Sequence, residues 1–157
     1  MISASRIKDL SERMKQEFKF FKTLTDEECT AFLSFCEDRQ VSSGGTLWNE
    51  GDTDNYAAFL ISGKLGIKKK TAFKGKYMIV GTFDKGTVVG ELCLLTDQAR
   101  SVTAVVLESA VLVQLSSMDF ERLIAEHPML GLKLLKHIFI ITSKRLNGSY
   151  KRIASIF

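Results

Sequence analysis

The hydrophobic pattern of this chain changes period twice. Across residues 4–21 apolar positions fall at Ile7, Leu10, Met14 and Phe18 or Phe21, spacings of three and four that describe one helix face. Thr25-Asp26-Glu27-Glu28 has the form of a capping box, with Thr25 as N-cap and Glu28 reaching back. The helix it opens is expected to run through Phe32, Leu33 and Phe35 to about Asp38, before a turn at Ser42-Ser43-Gly44-Gly45. The middle of the chain then breaks into short runs at residues 46–48, 57–61, 64–68, 77–80, 101–107 and 111–115, separated by glycines or polar turns. Many short strands with regular turns predict a sandwich or barrel. Ser62-Gly63, between two such runs, reads as a hairpin turn.

The helical period returns at Ser117, which is expected to cap a helix with Glu121 in its first turns. Pro128, the single proline, suits the start of the next helix, which is expected to stop at Asn147-Gly148. The predicted order is helix, helix, β-roll or barrel, short helix, long helix. Nothing in the sequence divides the chain in two. The last helix carries an apolar stripe at Leu134, Ile138 and Ile141, with Leu135, Phe139 and Leu146 alongside. That is more than one roll needs, so a homodimer through this helix is expected, with packing on its own roll as the alternative.

Composition narrows the function classes. The chain has 157 residues, room for one domain with a real core. No apolar run is long enough to span a membrane, and the start lacks the apolar core of a secretory signal, so a cytoplasmic protein with no membrane partner is expected. Cys29, Cys36 and Cys93 form no CxxC pair and read as buried thiols. His127 and His137 both fall in the helical end, leaving the β-rich middle without imidazole for a metal. No nucleophile–base pair or metal cluster supports an enzyme, and no cofactor is expected. After Glu126 six basic residues meet no acid; this is a solvated helix face or a site for nucleic acid, a membrane surface or an acidic partner.

The candidate chemistry lies in VVGELCLLTDQARSVT, residues 88–103. Gly90 lets a ligand approach the backbone, and Arg100 offers a planar fork to an anion. Glu91 would repel a phosphate but can accept a hydroxyl proton, such as that of a ribose. Together they would suit a nucleotide with one compact phosphate. Alternatively Glu91 and Arg100 simply pair with each other. The residues alone leave both readings open.

The spacing Gly90-Glu91-Leu92-Cys93-Leu94-Leu95, three residues, then Ala99-Arg100-Ser101-Val102-Thr103-Ala104-Val105 resembles the phosphate-binding cassette of the cyclic nucleotide-binding domain family. The family includes the catabolite activator protein and the regulatory subunits of protein kinase A. A second signature resembles the family's as well: Gly51-Asp52, Tyr56, Phe59 and Gly63. The resemblance implies a mainly β fold with α: an eight-stranded β-roll, jelly-roll-like, flanked by N-terminal helices and a long C-terminal helix. It divides the chain into an N-terminal helix (1–19), a binding domain including the C-terminal helix (20–147) and a tail (148–157). It implies cAMP or cGMP as ligand, with Glu91 on the ribose 2′-OH and Arg100 on the cyclic phosphate. Backbone groups of Gly90, Leu92 and Val102 and the Ser101 hydroxyl complete the pocket; Ser101 permits either nucleotide. Arg145 and Asn147 are candidate base contacts. Val89 and Ala99 depart from the family's aromatic and proline, which predicts a looser cassette.

The function expected is a stand-alone regulatory sensor that signals by movement of its last helix to an unidentified output protein. Only ten residues follow Asn147, so no DNA-binding domain is expected within the chain. The alternative is a degenerate domain of the same fold, serving as a protein-interaction scaffold without nucleotide.

Overall fold

The computed structural model describes residues 1–156. Two helices lead, α1 (Ala4–Glu17) and α2 (Asp26–Ser34), with a 3-10 turn at Phe21–Thr23 between them. Six strands follow: β1 (Glu37–Val41), β2 (Thr46–Trp48), β3 (Tyr56–Lys70), β4 (Tyr77–Asp84), β5 (Thr87–Val89) and β6 (Thr103–Ser116). A second 3-10 turn, Glu91–Leu94, separates β5 from β6, and α3 (Ser117–Glu126) and α4 (Pro128–Ala154) close the chain. The sheet runs β1-β6-β3-β4, with β2 also on β6 and β5 also on β3, all antiparallel. This is the expected roll between helices, a jelly-roll fold with six strands rather than eight.

Eight is the number the resemblance implies; the six runs read from the sequence form only four strands. The runs at 57–61 and 64–68 are both β3, and those at 101–107 and 111–115 both contribute to β6, while β1 and β5 fall outside the runs. Ser62-Gly63 does not reverse the chain. Gly63 has φ +92° and sits where the β3–β6 register shifts, so it bulges a continuous strand. A Cβ there would lie 2.5 Å from the Ser109 carbonyl oxygen and 2.7 Å from the Ala110 Cα. The residue that licenses a tight turn also licenses a bulge, and the long partner strand β6 decides between them.

The roll is buried on both faces along β3, where Ala57, Ala58, Phe59, Leu60 and Ile61 are all enclosed. Ala57, Phe59 and Ile61 face the helices; Ala58 and Leu60 face the roll interior with Trp48, Val89, Val106 and Leu112. The helical layer is keyed by Phe18, Phe21, Phe32 and Phe59, whose rings meet edge-on or tilted at 5.0–6.0 Å.

Four boundaries differ from expectation. Helix α1 stops at Glu17, and Phe18 turns extended (φ −111°, ψ 121°), which carries Phe18 and Phe21 into the aromatic cluster. Helix α2 ends at Ser34, because the apolar period through Phe35 and Cys36 continues as burial rather than as helix. The capping box of α2 is formed as expected, with reciprocal Thr25–Glu28 bonds of 3.0 and 3.1 Å. The N-cap of α3 is Ser116, whose hydroxyl accepts from the Asp119 amide at 3.0 Å; Ser117 is the first helical residue.

Helix α4 passes through Asn147-Gly148 to Ala154. Gly148 is not left-handed, so no C-cap reversal forms. A glycine inside a helix costs only about 1 kcal/mol, too little to end one without that reversal. The expected tail at 148–157 is therefore helical to Ala154, and Phe157 lies outside the described residues. Leu130, Leu134 and Ile138 bury α4 against the core. Lys133 pairs with Glu28 at 2.6 Å, and His137 stacks on Phe20 with centroids 4.4 Å apart.

Candidate functional site

A cavity of about 950 Å³ opens between the roll and α4. Its floor is the segment from Val89 to Val102 with Trp48, Ile67 and Phe83, and its roof is α4 from Leu135 to Arg145. Gly90, Glu91, Leu92, Arg100, Ser101 and Val102, the six residues expected in a binding cassette, all line it. Arg145 lines it too, from α4. Asn147 does not: it is exposed and outside the cavity wall. Two residues beyond Arg145 lies roughly 200° round a helix, so one face cannot present both.

The chain enters the site through Gly90, which has φ +72° and precedes the 3-10 turn. A Cβ there would sit 2.4 Å from the Arg100 Nη1, 3.0 Å from the Trp48 ring and 3.1 Å from the Tyr56 carbonyl oxygen. Glycine is required twice, for the left-handed backbone and for the guanidinium packed beneath it.

Arg100 is held from several sides, apart from Nη1. Its side chain is 2% exposed, Nε donates to Asp54 Oδ1 at 3.0 Å, and Nη2 donates to the Tyr56 carbonyl at 2.8 Å. The guanidinium lies 3.8 Å from the Trp48 ring centroid and 4.7 Å from that of Tyr56. Its backbone is fixed as well: the Arg100 amide donates to the Asp52 carbonyl and the Gly51 amide to the Arg100 carbonyl, both at 2.8 Å. Nη1 is buried and has no hydrogen-bond partner among the described residues. Burial of a cation with both N–H groups of one nitrogen unmet is costly unless a ligand completes them. Burial also pushes up the thiol of Cys93 and the phenol of Tyr56 beside it, so both stay neutral near pH 7.

Glu91 does not pair with Arg100, which removes the alternative of a mutual ion pair. Its carboxylate, 15% exposed, accepts through Oε1 from Arg145 Nη1 at 2.8 Å and from the Thr142 hydroxyl at 3.4 Å. Arg145 also donates from Nη2 to the Val88 carbonyl, and its guanidinium lies 4.7 Å from the Phe83 ring centroid. One arginine on α4 thus ties the helix to the floor, and Glu91 Oε2 makes no hydrogen bond among the described residues. Arg145, a candidate base contact, is bound to Glu91 in this structure.

Ser101 is held by a backbone clamp. Lys69 donates to the Ser101 carbonyl and to Glu50 Oε1, both at 2.7 Å, and Glu50 also receives the Lys70 amide at 3.0 Å. The hydrogen bond from Lys69 holds the Glu50 carboxyl below its ordinary value. Sequence reading did not single out Trp48, Asp54, Thr142, Phe83 or Lys69. Asp54 and Tyr56 lie within the Gly51–Gly63 signature, which marks their neighbourhood, but only the fold brings them under Arg100.

A family model of the cyclic nucleotide-binding domain matches residues 38–127. Among curated proteins, the chain is 30% identical over 99 residues to the lysophospholipase NTE1 of Phaeosphaeria nodorum, covering 63% of this chain and 6% of that protein. It is 28% identical over 111 residues to the cyclic AMP receptor protein of Thermus thermophilus, covering 71% of this chain and 51% of the receptor. The chain thus spans a small part of the lysophospholipase and about half of the receptor. In fold it is similar to a cyclic nucleotide-binding domain from Methylobacillus flagellatus, with TM-score 0.83 and 23% identity over 98% of this chain and 85% of that one.

Proposed function

The chain belongs to the cyclic nucleotide-binding domain family, and from that premise we propose that it is a non-catalytic regulatory sensor for cAMP or cGMP. The observation that carries the reading is Arg100, which lines the same cavity as Glu91 and keeps its buried Nη1 without a hydrogen-bond partner among the described residues. The cyclic phosphate completes Arg100, the ribose 2′-hydroxyl donates to the open oxygen of Glu91, and the base lies under α4 against Leu135 and Ile138. Gly90, Leu92, Ser101 and Val102 supply the surrounding backbone and hydroxyl groups.

Signalling follows from Glu91 serving two partners. Arg145 takes one carboxylate oxygen and the ribose the other, so ligand and α4 reinforce each other through a single side chain. Such coupling is reciprocal: what fixes α4 tightens the ligand, and the ligand biases α4 towards its docked position. The output protein reads that position.

A homodimer through α4 belongs to the same reading. Leu134 and Ile138 are buried in the chain's own core, so they do not form the seam. The exposed face instead carries Leu132, Phe139, Leu146 and Ile153, spaced by seven, with Tyr150 beside them. A seven-residue repeat suits a second copy of the same helix. The three buried free thiols suit a reducing compartment, and a cytoplasmic location is part of this proposal.

Trp48 is the single tryptophan of the chain and lines the cavity, so its fluorescence reports occupancy directly. Titration with cAMP or cGMP is expected to give a saturable change, with 5′-AMP much weaker. No change with either cyclic nucleotide, in a protein shown to be folded, contradicts the sensor reading and favours the scaffold alternative.

A further inference from the structure

The hairpin joining β3 to β4 has no counterpart in the site. Ala72 to Val80 are all exposed, including Phe73 at 72%, Tyr77 at 53%, Met78 at 58%, Ile79 at 57% and Val80 at 46%. Strand residues normally alternate between a buried and a solvated face; here Tyr77 and Ile79 face one way, Met78 and Val80 the other, and neither face is covered. The tip is ordered by its own bonds. The Thr71 amide donates to the Lys76 carbonyl at 2.9 Å, the Lys76 amide to the Phe73 carbonyl at 3.0 Å, and Gly75 supplies φ +75°. Lys76 lies 6.0 Å from the Phe73 ring centroid.

Charge on this finger is of one sign. Residues 64–83 hold six lysines and no acidic residue. Lys64 is paired with Asp84 and Lys69 with Glu50. Lys68, Lys70, Lys74 and Lys76 have no carboxylate partner among the described residues. Exposed aliphatic and aromatic side chains therefore share one projecting tip with uncompensated ammonium groups.

We infer that the β3–β4 hairpin docks on anionic phospholipid bilayer surfaces, inserting Phe73 and its apolar neighbours while its lysines meet the headgroups. Lipid fits both halves of the patch. Nucleic acid would satisfy the lysines but leave Met78, Ile79 and Val80, which have no π face, in water. A bilayer interface takes the apolar groups and the lysine stems together. The two contributions act jointly, as stable peripheral attachment requires. No helix of the described residues is long and apolar enough to cross a membrane, so the attachment is to the surface. The proposed attachment departs from the expectation of no membrane partner.

The test is co-sedimentation of the full chain with vesicles of phosphatidylcholine containing about one-third phosphatidylserine, against pure phosphatidylcholine. Partition is expected onto the anionic vesicles and to fall with salt. Lys74→Gln with Lys76→Gln should weaken it roughly 30-fold, and Phe73→Ser about tenfold. All three positions are exposed, so the variants should fold. None lines the cavity, so their Trp48 response to cyclic nucleotide should match the parent. Equal partition onto both vesicles, variants that partition like the parent, or pelleting without vesicles through the open edge of β4 would each overturn the inference. Loss of nucleotide response in parent and variants alike would count against the sensor reading instead and leave the lipid result standing.

Discussion

Arg100 and Glu91 lie nine positions apart and serve different elements. Arg100 binds downward into Asp54 and Tyr56, while Glu91 binds upward to Arg145 on α4. The spacing of Gly90, Glu91 and Arg100 was legible in the sequence because the backbone between them is short and continuous. What holds Arg100 was not, because Trp48 and Tyr56 arrive from other strands. Arg100→Lys keeps the charge but loses the fork that reaches Asp54, Tyr56 and the unmet direction together. It is expected to weaken cyclic nucleotide binding roughly 10- to 100-fold; parental affinity in a titration would remove the phosphate role. Arg145→Ala should weaken binding about tenfold and speed amide hydrogen exchange along α4. Exchange unchanged in α4 would show that the Glu91 contact does not hold the helix.

At the scale of elements, the sequence signals were ambiguous where one residue type serves two geometries. Gly63 at positive φ suits a turn or a bulge, and only the length of β6 opposite selects the bulge. Asn147-Gly148 has the composition of a helix stop, yet α4 continues because the glycine keeps helical backbone. Gly63→Ala forces a side chain against the β6 backbone from a left-handed position. It is expected to cost about 2–3 kcal/mol, lowering the melting temperature by roughly 5–10 °C; a calorimetric scan checks this, and an unchanged midpoint refutes the bulge argument. The docking of α4 also has a pH dependence. Burial first, then Lys144, pulls the His137 imidazole below its ordinary 6.5. The folded state therefore favours the neutral ring, so this contribution is complete above pH 6.5 and is lost as pH falls through the lowered value. Melting temperature should decline as pH falls below about 6.5, and His137→Phe, which keeps the stack on Phe20, should flatten that decline. An equal decline in the variant would assign it elsewhere.

For the whole molecule, the order of helices and roll was readable because the hydrophobic period changes where the architecture changes. The use of each apolar face was less so. Leu134 and Ile138, which looked available for a partner, close the core, while Leu132, Phe139, Leu146 and Ile153 remain outside. Leu146→Glu should convert a dimer to a monomer in sedimentation velocity; identical sedimentation of parent and variant as monomers would remove the dimer. On the proposals above, the two exposed apolar regions, α4 and the β3–β4 hairpin, would serve self-association and surface attachment respectively. The claim on which all of this turns is that the cavity holds a cyclic nucleotide, and isothermal titration of the parent chain with cAMP and with cGMP tests it most directly. Saturable one-site binding of at least one of them is expected, sharply weakened in Arg100→Lys. No heat of binding from either nucleotide at millimolar concentration would contradict the claim.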